Sequence, residues 1–257
     1  SDPLEVGDEP VLLAKHLNCP IAVSPKRTEA VAMLSEADDL EAPLDIIISD
    51  DGLQHFAMAR DIEIALIDGQ RGLGNELCMP AGPLREPKQR LKEVDFVVSN
   101  GQVCQDLNDA FRTKATVAEY ETMRLMPVCF RNVAEPHRHL AADAFYGQSV
   151  NAMAGIGNPS RFYQTLKNLG MTLQTKDFAD HQSYRPQDFE WVSAENETLP
   201  QKPLVMTEKD AVKCQAFAQE NWWYLEVKPV CSPEFANRLL ERINDLRSQV
   251  LNQQKVG

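Results

Sequence analysis

LDIIISDDGLQHFAMARDIEIALIDGQRGLGN, residues 44–75, is the stretch on which the fold turns. The apolar run Leu44 to Ser49 predicts a strand that ends in the carboxylates Asp50 and Asp51. Gly52 follows, then a polar cluster of Gln54, His55 and Arg60. A second run, Ile62 to Ile67, again stops at an acid and a glycine, Asp68 and Gly69. Short apolar runs bounded in this way mark buried parallel strands, which deliver side chains to a ligand at their carboxyl ends.

Towards the amino end, GDEPVLLAKHLNC (7–19) predicts a short helix with Asp8 as its cap, Pro10 in its first turn and Val11, Leu12 and Leu17 inward. A strand at Ile21 to Val23 and a helix over 26–37, with Ala30, Val31 and Leu34 inward, complete that arm. Residues 38–43 are expected to form a solvated loop. Towards the carboxyl end, the proline-rich piece 80–87 presents Arg85, a helix covers 87–92, and a strand at 94–98 closes an open α/β layer over residues 1–101.

Residues 102–231 then read as a second, smaller α/β domain. Strand character at 113–120 and 126–133, separated by polar turns, suggests a small antiparallel portion, with a helix or loop at 138–147. Strands at 150–154, 171–178, 203–206 and 222–227 alternate with helices at 159–168, at 186–196 and one opened by residues 207–211. Ser232 and Pro233 open a final helix, 232–254, whose apolar face (Phe235, Leu239, Ile243, Leu246, Val250) must dock, with the first domain as its candidate platform.

The chain has 257 residues and a net charge of −12. Residues 1–100 hold 9 Lys and Arg against 19 Asp and Glu, so the acidity is concentrated there. Such a field disfavours nonspecific nucleic-acid binding, and a phosphorylated substrate would need a divalent cation or local Arg and Lys beside it. The six cysteines, at 19, 78, 104, 129, 214 and 231, lack metal-site spacing. Most stand beside apolar residues, as small buried thiols do, which favours a reducing compartment. No run of 18 apolar residues marks a membrane span.

Asp50 and Asp51 at a strand end are placed as phosphotransfer proteins place the acids that hold Mg²⁺ near phosphates; the plainer alternative is a turn whose acids cap the next helix. Asp8 and Glu9 form a second acid pair, either metal ligand and hydroxyl base or simple helix-start acids. His181, beside Asp180, suits a supporting role to a base or a place on a surface loop. Gly155 to Pro159 opens a helix without matching GxGxxG, and Lys209 suits a phosphate contact or an ordinary salt bridge. No GxxxxGK[ST] occurs. Besides a kinase, the acids are compatible with a noncatalytic phosphate- or nucleotide-binding module and with a metal-dependent phosphohydrolase.

The ordered set GDEP (7–10), DDGLQH (50–55), RDIEI (60–64), IDGQRGLGN (67–75), PAGPLREP (80–87), AGIGNPSRFYQTLKNLG (154–170), FADHQSY (178–184) and LVMTEKDAVKC (204–214) resembles the tetraacyldisaccharide 4'-kinase family. The resemblance covers about residues 5–227. It implies a P-loop-kinase-like layered parallel sheet, a second α/β lobe, and a reaction in the cleft between them. The activity implied is transfer of the γ-phosphate of ATP, with Mg²⁺, to the 4' hydroxyl of a tetraacyl disaccharide 1-phosphate, forming lipid IVA for lipid A. It also implies a peripheral place on the cytoplasmic face of the bacterial inner membrane, with no nucleic acid and no obligate protein partner.

Carried over by motif, Asp8 resembles the general base, supported by His181, and Glu9 and Asp50 resemble the Mg²⁺-binding acids. Asp51 belongs to the same motif around the phosphates. Gln54, His55 and Arg85 resemble nucleotide or lipid-phosphate contacts. In the family a membrane-associating segment, a first strand and the P-loop precede GDEP, which here begins at residue 7. The chain is therefore expected to be a fragment, inactive by itself.

Overall fold

The computed structural model describes residues 6–37, 44–102, 119–180, 182–193 and 201–256. The expected loop at 38–43, the strand reading at 113–118, the end of the helix at 186–196, and His181 lie outside the described residues. The fold is α/β, and contacts divide it into two units. The first comprises residues 1–45 and 127–227, the second residues 46–126 and 228–257. This grouping differs from a division at residues 101 and 102, because the amino-terminal helix lies against a helix at 208–214.

In the first unit, α1 (Asp8–His16) and α2 (Arg27–Ser35) precede the sheet. Gly7, at φ 91°, is the cap of α1, so Asp8 falls inside the first turn rather than at the cap as the sequence suggested. Leu17, expected inward, ends exposed past the last turn, and Ile21 to Val23 forms no strand. Ala30 is buried and Val31 and Leu34 half-buried, as α2's pattern predicts.

In the second unit, β1 (Ile64–Asp68) and β2 (Phe96–Asn100) pair in parallel, and β2 pairs in parallel with the start of β3 (Glu119–Asn132). β3 is one uninterrupted strand of 14 residues. The polar turn expected between two shorter strands is absent: Tyr120 and Met123 pack into clusters on opposite faces, Arg124 is exposed, and the Glu121 carboxylate accepts from the Ser232 hydroxyl at 2.7 Å. The largest correction is Leu44 to Ser49, which forms no strand; Ile46, Ile47 and Ile48 are exposed. A strand needs a partner for its backbone groups as well as β-prone side chains. β1 and β2 pair with each other and leave this run outside the ladder.

β3 continues into the first unit, where β4 (His139–Ala141) pairs with it antiparallel, at the place read as helix or loop. There β5 (Ser149–Ala154) pairs in parallel with β6 (Thr172–Asp177) and β7 (Leu204–Thr207), and β7 pairs in parallel with β8 (Trp222–Val230). Strand alternation sends Val150, Ala152, Ala154, Val205, Trp223 and Leu225 into one core, which α3 (Pro159–Asn168) covers with Phe162 and Leu166. Met153, Leu204, Met206, Trp222 and Tyr224 enter a second core on the other face. A strand covered on both faces is apolar over most of its length, as 149–154 and 204–207 are apart from the buried Asn151 and the terminal Ser149 and Thr207. α4 (Glu190–Ser193) and α5 (Glu208–Cys214) belong to that second face.

The last helix, α6 (Pro233–Val256), begins at Ser232, whose Oγ accepts from the Phe235 amide at 3.1 Å. It packs back on the second unit, with Phe235 edge-on to Phe96 at 5.4 Å and Leu239 beside the same cluster. Val250, expected inward, is exposed. Of the cysteines, Cys129 and Cys214 are buried as expected, whereas Cys19 is exposed and Cys78 and Cys231 are half-buried.

Candidate active site

In the first unit the strand β7 ends at Thr207, whose Oγ1 caps α5 by accepting from the Asp210 amide at 3.2 Å. Asp210 is fully buried. Its carboxylate accepts from the Tyr184 hydroxyl at 2.7 Å, the Thr207 hydroxyl at 2.6 Å and the Gly155 amide at 3.1 Å. The approach at Gly155 is close: a Cβ there would lie 2.2 Å from the Tyr184 hydroxyl. The glycine of the AGIGNP turn therefore serves packing around Asp210. Burial, then the Asp210 charge and hydrogen bond, push the Tyr184 hydroxyl far above its ordinary pKa, so it donates throughout the physiological range.

Lys209 and Lys213, four residues apart, share one face of α5. Lys213 Nζ lies 3.2 Å from Asp8 and 3.9 Å from Asp210. Lys209 Nζ lies 3.1 Å from Glu9, 3.7 Å from Asp180 and 3.9 Å from Asp8. α1 is further tied to α5 by His16 Nε2 and Glu208 at 2.7 Å and by Lys15, which donates to Gln215 at 3.3 Å. Burial pushes the Asp8 carboxyl up, but the Lys213 ammonium and the Lys209 charge more than offset it, so Asp8 sits below the ordinary carboxylate range. Burial likewise works against the Lys209 ammonium, and Glu9, Asp8 and Asp180 reverse it and hold it above its ordinary value. Asp8 is thus a buried carboxylate kept ionised at a helix start.

In the second unit Asp51 occupies the left-handed region, φ 50°, and turns the chain at Gly52. Arg85 Nη1 donates to Asp51 at 3.1 Å and to Gln54 Oε1 at 3.5 Å. The Gln54 amide in turn donates to Glu86. His55 sits in the same turn, its amide donating to the Gly52 carbonyl at 3.0 Å. Asp50 is exposed. Burial works against the ionised Glu63 carboxylate, but Arg90 and Arg60 more than offset it and lower its pKa.

The sequence-predicted residues thus gather in two places. Asp51, Gln54 and Arg85 form one bonded group with His55 in its turn, and Asp8 and Glu9 share Lys209.

A family model described as tetraacyldisaccharide-1-P 4'-kinase matches residues 1–244. The chain belongs to this family. A tetraacyldisaccharide 4'-kinase of Hydrogenovibrio crunogenus is 52% identical over 243 residues, covering 95% of this chain and 67% of the relative. One from Hahella chejuensis is 44% identical over 247 residues, covering 96% and 66%. The fold is similar to a crystal structure described as the "apo" form of LpxK from Aquifex aeolicus in complex with ATP. That match has a TM-score of 0.67 and 26% identity, covering 95% of this chain and 70% of that one. The chain spans about two thirds of the length of these curated relatives.

Several residues that support these two candidate groups escaped the sequence reading. Asp210, Tyr184 and Lys213 carry Asp8, and Glu63, Glu86 and Arg90 carry Gln54 and Arg85. The Lys209–Lys213 and Glu86–Arg90 spacings of four were the available signals. Among the described residues no three His, Cys, Asp or Glu side chains come together as a metal cage. Mg²⁺ in phosphotransfer sites takes only one or two protein carboxylates, with water and phosphate completing its shell. The exposed Asp50 carboxylate and the half-exposed Glu9 carboxylate are hard-oxygen donors of that kind.

Proposed function

We propose that this protein transfers the γ-phosphate of ATP to the 4' hydroxyl of a tetraacyl disaccharide 1-phosphate, forming lipid IVA. The single observation that carries the reading is Asp8. It is a buried carboxylate held ionised by Lys213 and placed in the family's GDEP motif, and so is suited to take the proton of an attacking hydroxyl. Tetraacyldisaccharide 4'-kinase is the name of the relatives, and 95% of this chain aligns with the first of them.

In this reading His181 supports Asp8. Glu9 and Asp50 each offer a carboxylate to the Mg²⁺ of ATP, which neutralises charge on the transferring phosphoryl group when bound. Asp51, Gln54, His55 and Arg85 orient nucleotide or lipid phosphate, Arg85 by donating hydrogen bonds and Asp51 by holding Arg85 in place. Among the described residues no helix is long and apolar enough to cross a membrane. An acylated acceptor requires access to a lipid surface, so we assign the protein a peripheral position on the cytoplasmic face of the inner membrane.

The test is transfer of label from γ-labelled ATP to the acylated disaccharide 1-phosphate in mixed micelles, by the protein expressed from its own gene. Label at the 4' position, lost in Asp8→Asn, supports the reading. Release of free phosphate at the same rate without the acceptor overturns it in favour of a hydrolase.

A further inference from the structure

The polar group of the second unit closes into a ring, and the ring meets at one carboxylate. Glu63 stands immediately before β1, with its side chain only 13% exposed. Arg60 Nε donates to Glu63 at 2.6 Å, and Arg60 Nη1 reaches the carbonyls of His55 at 3.1 Å and Gly52 at 3.4 Å. Those two carbonyls belong to the turn that Asp51 opens.

On the other side Arg90 Nη2 donates to both Glu63 oxygens, at 2.7 and 2.6 Å. Arg90 Nε lies 3.4 Å from Glu86, Glu86 accepts from Gln54, and Gln54 shares Arg85 with Asp51. Leaving Glu63 by Arg90, the contacts lead to Asp51; leaving it by Arg60, they lead to the Gly52 and His55 carbonyls of the turn that Asp51 opens. The hub itself is fixed from behind: the Glu63 amide donates to Asp95 at 2.9 Å, and Arg242 of α6 lies 3.4 Å from Asp95.

We propose that Glu63 is a positioning residue for the Asp51–Gln54–His55–Arg85 group, setting the turn through Arg60 and the Arg85 loop through Arg90. This rests on the reading of that group as phosphate-facing. Two guanidinium groups, each only 19% exposed, converge on this one carboxylate. Without it they repel, and each gives up a charge-assisted bond that fixes its plane. An exposed pair such as Asp51–Arg85 is too weak to hold its own geometry, so its orientation must come from the buried part of the ring.

The test uses the whole chain uniformly labelled with ¹⁵N. It reads the Arg85 Nε–Hε signal together with amide hydrogen exchange at His55, Met58, Leu66 and Val98. Glu63→Gln is expected to move the Arg85 signal to the position it takes in Asp51→Asn. It should also speed exchange at His55 and Met58 at least about tenfold, with Leu66 and Val98 unchanged. Glu63→Asp, which keeps the charge, should return the Arg85 signal towards its original position.

Arg60→Gln should speed exchange in the turn alone, and Arg90→Gln should move Arg85 alone. An unmoved Arg85 signal in Glu63→Gln, or equal acceleration at Leu66 and Val98, overturns the proposal. Should Glu63→Gln not fold, the two arginine variants decide it: separate effects support the ring, and identical or absent effects overturn it. No phosphoryl transfer enters these readouts, so a failed kinase assay leaves the result standing.

Discussion

Lys213 Nζ lies 3.2 Å from the Asp8 carboxylate, and each side chain is only one-tenth exposed. The pair joins the first turn of α1 to the last turn of α5. It rests on Asp210, which is fully buried and 3.9 Å from the same ammonium. Asp8 therefore depends for its charge, together with Lys209, on a residue 205 places away in the chain.

Replacing Lys213 by Met should leave Asp8 and Asp210 without their shared cation. Removing one partner of a buried pair costs about 3 kcal/mol, because the other charge stays behind uncompensated. Urea unfolding should show this loss. The double variant Asp8→Asn with Lys213→Met should recover part of it, since the stranded charge at Asp8 is gone; equal stability of the double and single variants would deny the coupling.

Gly155→Ala and Tyr184→Phe test the Asp210 cluster from opposite sides. The alanine Cβ would lie 2.2 Å from the Tyr184 hydroxyl and 3.1 Å from Asp210, so overpacking should cost about 1–3 kcal/mol. Tyr184→Phe removes a hydrogen-bond donor from a buried carboxylate, for a loss of about 1–3 kcal/mol. In Tyr184→Phe the oxygen that the new methyl meets is gone. Thermal unfolding should therefore show Gly155→Ala to be milder in the Tyr184→Phe background than in the unaltered chain.

Glu63 provides a pH dependence. Its carboxyl lies below the ordinary value of 4.5: burial opposes ionisation, and Arg90 and Arg60 outweigh it. A lowered folded pKa means that the stabilisation is fully present above 4.5 and is lost as pH falls through the folded value beneath it. The melting temperature of the unaltered chain should exceed that of Glu63→Gln by a constant margin from pH 7 to about 5.5, and the margin should close in more acid solution. A margin that widened towards acid would reverse the sign and remove the Glu63 pair as its cause.

The parts legible from sequence were those where a local rule and a tertiary partner agree. β7, most of β5 and the first half of β8 are apolar runs covered on both faces, and the Ser232–Pro233 start of α6 is a cap that needs no distant partner. Leu44 to Ser49 has the same local pattern as β5, yet it stays outside the ladder, because pairing is decided by neighbours that composition does not name. The site divides in the same way. Asp8, Asp51 and Arg85 were expected from their motifs, and the structure gives each a charged partner. Asp210 and Glu63, which hold them, looked like ordinary helix and strand-flanking acids until distant parts of the chain were brought beside them.

Arg85 should separate activity from stability most cleanly. Its side chain is 63% exposed and that of Asp51 72%, so solvent screens their 3.1 Å pair. Losing the pair should change folding stability by less than about 0.5 kcal/mol. A guanidinium that orients a phosphate group matters far more to transfer than to folding, and its loss should lower the transfer rate about 10²-fold. Arg85→Gln should therefore melt with the unaltered protein and fail in the labelled-ATP assay. Arg85→Lys should recover little, because an ammonium cannot span Asp51 and Gln54 while still donating to phosphate. Full activity in Arg85→Gln would release Arg85 from the site. A large loss of stability would instead place Arg85 among the supports, alongside Arg60 and Arg90.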